Sequence, residues 1–152
     1  MKPVVEVKKY IMKFGFAYII GLVALLVIVQ LFDLNHSPGV SIGVLMGAAY
    51  YAVGSFIQDN KRTPNKKEKT KMVLLSFITS CGISSLLVLS VALIFSGVDG
   101  LSVIIYMFSQ FDFAIVVGSF VFMSFLYLLS LYFSYGFIAQ KLYDGFKKKG
   151  KI

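Results

Sequence analysis

Four long apolar stretches divide this chain, and the polar segments between them are of two chemical kinds. The stretches run from Phe14 to Phe32, from Pro38 to Ile57, from Met72 to Phe95, and from Leu101 to Tyr135, the last interrupted only by Gln110 and Asp112. About 19 residues at 1.5 Å each span a hydrocarbon core of about 30 Å, so the first three suit one membrane crossing apiece. The last would make roughly 50 Å of helix, too long for one crossing. Leu101 to Phe111 is therefore expected as an outer interfacial or bent segment, with the fourth span at Phe113 to Tyr135. The pattern predicts an all-α, polytopic membrane protein: one domain of four transmembrane helices at about 14–32, 38–57, 72–95 and 113–135.

Turn chemistry punctuates the spans. Asn35-His36-Ser37-Pro38 reads as a tight turn in which Ser37 caps the second helix and Pro38 occupies its first position. In the loop 58–71, Thr63-Pro64 repeats that logic, so the third helix is expected to begin before the membrane. Gly97 and Gly100, around Asp99, end the third span. The tail 136–152 spaces Ile138, Leu142 and Phe146 among lysines, the pattern of a helix lying on a leaflet surface.

Charge turns this division into a topology. All fifteen Lys and Arg residues fall in three places: Lys2 to Lys13, Lys61 to Lys71, and Lys141 to Lys151. The segments Asp33–Ser37 and Ser96–Gly100 have none. Basic loops stay on the cytoplasmic side during insertion, so both chain ends and the loop 58–71 are expected inside. A net charge of +8 would otherwise raise nucleic-acid binding, but here it flanks membrane segments and the insertion signal accounts for it. The basic residues also suit contact with anionic inner-leaflet lipids. The first span follows a basic stretch, as in a signal peptide, yet no small-x-small cleavage site follows, so it reads as retained. With 58% hydrophobic residues and 14% charged, the composition is far from that of a soluble domain.

Chemistry is scarce. Cys81 is a lone cysteine inside an apolar run, and His36 is the single histidine, in an outer turn. No Ser/His/Asp set, HExxH or phosphate loop occurs. Ionisable residues inside a membrane mark ion or proton relays, and the four predicted spans contain none. No cofactor, metal or catalytic residue is expected.

Packing signals are plentiful by comparison. Gly39, Gly43 and Gly47 form a small-xxx-small series that lets another helix approach closely. Two readings are open: packing against the first span, with its Gly15, Ala17 and Gly21, or an interface with another membrane protein or a second copy. Ser76, Ser80 and Ser84 make a stripe on the third span, suited to bonding helices together or to lining a solute path. On the fourth span Ser119, Met123, Tyr127, Ser130 and Ser134 share a face that Asp112 extends outward. Asp112, Ser119, Tyr127 and Ser130, set against the serine stripe, would form a weakly polar seam.

The stretch Lys61-Arg62-Thr63-Pro64-Asn65-Lys66-Lys67-Glu68, between a glycine-rich and a serine-rich span, and Tyr135-Gly136 before a basic tail resemble an uncharacterised family of small four-span bacterial inner-membrane proteins. The resemblance covers most of the chain in layout. It implies a bacterial inner membrane and four helices, and it brings no functional residues. The expectation for function is a non-enzymatic protein acting by helix packing with a membrane partner, as an immunity protein against a membrane-active toxin or an accessory subunit. The alternative is a small oligomeric transporter or channel for a neutral or weakly polar solute, built on the serine seam.

Overall fold

The computed structural model describes residues 6–32, 38–97 and 99–150. Six α-helices follow in order: α1 Lys8–Phe32, α2 Pro38–Asn60, α3 Lys66–Ser96, α4 Asp99–Ser109, α5 Phe113–Phe133 and α6 Ala139–Lys148. Among the described residues every regular element is helical. Four helical stretches are long and apolar enough to cross a membrane: Lys8–Phe32, Gly39–Asn60, Lys66–Ile94 and Phe113–Lys148. Their outward faces carry Phe16, Leu31, Ile94, Phe113, Phe120 and Phe122 fully to the surface, an apolar exterior that water would not tolerate.

Local chemistry sets the helix ends, and at the start of α3 it differs from expectation. Asn65, rather than Thr63, caps α3. Its Oδ1 accepts the Glu68 N–H at 2.9 Å, while Glu68 Oε2 accepts the Asn65 N–H at 2.8 Å, a reciprocal capping box that outcompetes the Thr-Pro pair. The polar loop at this end thereby shrinks from 58–71 to 61–65, because α2 runs to Asn60 and α3 starts at Lys66. The Ser37 cap and the turn around His36 lie outside the described residues. Gly97, at φ +57°, ends α3 with its N–H on the Leu93 carbonyl.

The segment before the fourth span is a helix, α4, against α3. Asp112 then caps α5 by accepting the Ala114 N–H at 2.9 Å. The fourth span does not stop at Tyr135. It passes through a π-helical turn, Ser134–Ile138, straight into α6. The tail's apolar residues Leu142, Tyr143 and Phe146 pack on the protein's own buried cluster, with Leu142 over Gly54 of α2. That side of the tail therefore faces the bundle, where the sequence pattern suggested a leaflet.

The buried cluster joins Tyr10, Phe14 and Tyr18 of α1, Leu45 to Ile57 of α2, Met72 and Val73 of α3, and Leu131, Tyr135 and Ala139 of the fourth span. Most of it lies toward the end of the bundle that carries Lys9, Arg62 and Lys69. Burial fades toward the opposite end of α3 and α5.

Candidate functional site

Charged and polar groups are tied together where the basic end of the bundle closes. Glu68 is fully buried on the first turn of α3, and Arg62 meets it with two nitrogens, Nη1 to Oε2 at 2.7 Å and Nη2 to Oε1 at 2.8 Å. The same guanidinium lies 5.3 Å from the Phe56 ring centroid. Its hydrogen bonds to Glu68 hold Arg62 above its ordinary pKa, against the opposing effect of desolvation. Arg62 thus stays charged at any working pH, and its share of the pair's stabilisation is lost only as strongly alkaline pH rises through that elevated value. Beside it, Lys9 of α1 pairs with Asp59 of α2 at 2.9 Å, Tyr10 donates to Asp59 at 3.2 Å, and Asn60 donates to the Tyr10 hydroxyl at 2.9 Å. These contacts fasten α1, α2 and α3 at one end. Only the Asn65-to-Glu68 spacing announced any of this in the sequence.

The serine stripe is occupied by the fold itself. Ser76, fully buried, shares a 2.8 Å hydrogen bond with the equally buried Tyr135 hydroxyl, so α3 is joined to the π-helical turn. Ser80, also buried, donates to the Phe77 carbonyl. Ser84 shares a 3.1 Å bond with the Tyr18 hydroxyl of α1. Each tyrosine completes a serine that lies far away in sequence; Tyr18 was not singled out from the sequence pattern, and Tyr135 figured there only as the end of a span and beside Gly136.

The fourth-span residues do not assemble into one polar face with that stripe. Asp112 is exposed and serves as a cap; Ser130 donates back to the Leu126 carbonyl, and Ser134 to that of Ser130. Tyr127 packs at the edge of the buried cluster. Ser119 is exposed, in a groove otherwise lined by apolar residues that include Val88, Phe108, Phe111 and Met123. Among the described residues no three His, Cys, Asp or Glu side chains gather as a metal site.

The glycine series has a different placement again. Leu45, Ala48, Ala49, Ala52, Val53 and Phe56 turn one side of α2 into the core. Gly39, Gly43 and Gly47 lie on the exposed side, and a Cβ built on Gly43 or Gly47 meets nothing within 4 Å. Packing of these two glycines against the first span is therefore not what the structure shows. The close approach of α1 to α2 is made at Gly21 instead, against Val44. Next to the bare stripe runs a shallow apolar groove between the two helices, about 420 Å³, lined in part by Phe16, Ile20, Val44, Gly47 and Tyr51. A helix with small residues at its contact positions would fit such a surface.

Comparison with protein-family models, with curated proteins and with solved structures gives no match to this chain.

Proposed function

We propose that this chain is a small multi-pass protein of the bacterial inner membrane, with both ends in the cytoplasm, that works without chemistry of its own. It receives a helix of a membrane partner on the glycine face of α2. An immunity protein against a membrane-active toxin and an accessory subunit of a membrane complex are the two forms this role takes.

One observation carries the reading: Gly43 and Gly47 lie within a long apolar helix, and a Cβ built on either meets nothing within 4 Å in the rest of the fold. Glycine inside a helix is less favourable than alanine by about 0.5–1 kcal/mol. Their use is then explained by something outside the chain. Close backbone approach is what small residues provide in lipid, where helices gain no hydrophobic drive for association. The orientation rests on the fifteen basic residues, confined to the ends and the loop that would face the cytoplasm.

Gly43→Ile tests the proposal. A partner co-purified from native membranes with the parent chain should be lost with the variant, while its melting in detergent stays unchanged because the site is open. Retention of the same partner by Gly43→Ile and by Gly47→Ile would remove the basis for the reading. Cysteine labelling at Asn65 and at His36 tests the orientation: Asn65 should react only after the membrane is opened, and His36 from outside.

A further inference from the structure

Lys69 carries a charge that no carboxylate answers. It lies in the first turn of α3, and among the described residues it enters no ion pair. Of the acidic groups at this end, Asp59 and Glu68 are taken by Lys9 and Arg62, and among the described residues neither Glu6 nor Asp144 pairs with Lys69. Its ammonium crosses instead to the fourth span, 3.4 Å from the ring centroid of Tyr132, and covers Gly136 so closely that a Cβ there would collide with Nζ. The same side chain borders a groove of about 450 Å³ whose other walls are Met46, Leu129, Ser130, Tyr132, Phe133 and Phe137. Phe133 and Phe137 stack at 5.0 Å, and both, with Leu129 and Tyr132, are exposed sideways. The groove borders the π-helical turn, a rare deformation frequently found at functional sites.

We propose that this groove holds one anionic phospholipid, with its phosphate on Lys69 Nζ and an acyl chain along Met46, Leu129, Phe133 and Phe137. An unpaired ammonium beside lipid is expensive, and the Tyr132 face offsets only part of that. It presents three donors, and a phosphate supplies the matching charge and acceptors at headgroup depth. The apolar walls supply what a soluble anion could not use. A second copy of the chain in the groove would bury the ammonium without a counter-charge, which is strongly unfavourable. Its headgroup end, at Lys69, Tyr132 and Gly136, lies on α3 and the fourth span, while Met46 on the acyl side belongs to α2 between Gly43 and Gly47; the proposal stands whether or not the glycine face binds a partner.

The test is native mass spectrometry of the full chain in maltoside detergent, titrated with dioleoyl-phosphatidylglycerol or dioleoyl-phosphatidylcholine. One phosphatidylglycerol should saturate, with clear preference over the choline lipid. Lys69→Gln should weaken it about tenfold, the loss of one charge-assisted bond, and Lys69→Arg should retain it. Gly136→Ala keeps the charge but pushes the ammonium aside, so it should weaken binding as well. If Lys69→Gln fails to fold, the Arg and Gly136→Ala variants decide. Substituting Gln at Lys147, Lys148 and Lys149 together should leave the saturating lipid in place. Equal binding of both lipids, unsaturating adducts that survive Lys69→Gln, loss through the tail substitutions alone, or competition by glycerol phosphate equal to that of the whole lipid would each overturn the proposal.

Discussion

Gly21 of α1 lies directly beneath Val44 of α2, so close that a Cβ on Gly21 would sit 2.6 Å from Val44 Cγ1. Valine is stiff at χ1 and cannot swing clear. Gly21→Ala must therefore part the two helices or bend one of them. We expect a loss of about 1–3 kcal/mol, read as a lower melting temperature in detergent. Gly43→Ala on the neighbouring helix is the counterpart. It meets open space and should be neutral or stabilising by about 0.5–1 kcal/mol. Equal destabilisation by both would show that the register of α1 on α2 is not the one described.

The pairing of Arg62 with Glu68 predicts a strong asymmetry. Arg62→Ala strands a fully buried carboxylate and should destabilise by about 3 kcal/mol. Replacing both residues by leucine removes the charge as well as its partner, so the double variant should melt higher than Arg62→Ala. Part of the loss remains in the double variant, because Glu68 also completes the Asn65 cap. Thermal melts of the three proteins at one lipid-to-detergent ratio decide it.

Tyr135 and Ser76 form a buried pair that a double-mutant cycle can isolate. Tyr135→Phe should cost about 1 kcal/mol, in keeping with side-chain hydrogen bonds between membrane helices. Ser76→Ala should add little on top of it. Additive losses would mean that the two hydroxyls satisfy each other less than the 2.8 Å separation implies.

Lys61 ends α2 in the left-handed region at φ +50°, with its N–H on the Ile57 carbonyl at 2.8 Å. A side chain there is strained, and glycine is the usual residue for this cap. Lys61→Gly should raise stability by about 0.5–1 kcal/mol, measured by the same thermal melts. A fall would show that the lysine side chain contributes more than its backbone strain removes.

Much of the architecture was legible in the chain because lipid imposes a one-dimensional rule: a spanning helix needs an unbroken apolar run. That rule located four helices long and apolar enough to cross a membrane. It gave no information about rotation around each helix axis. Gly43 and Gly21 carry the same signal in sequence, yet one is bare and the other is crowded, because the larger residues of α2 decide which side turns inward. The serine stripe was visible, but its partners Tyr18 and Tyr135 are ordinary aromatic residues in apolar runs, and only the packing of α1 and the fourth span brings them to it. Lys69 was expected on the start of the third helix, before the membrane, but nothing in the sequence said that its side chain reaches the fourth span.

The concentration of buried side chains at the basic end gives the molecule a stiff half and a soft half. Opening the stiff half means dismantling the Arg62–Glu68 pair, the Tyr135–Ser76 bond and the Tyr10–Phe56 and Phe14–Tyr18 ring contacts together. Fraying the other ends of α3 and α5 breaks few tertiary contacts, since little there is buried. Amide exchange should accordingly be slowest around Phe56, Met72 and Tyr135 and quicken along α3 toward Ser90, a gradient of local opening free energy running the length of each helix.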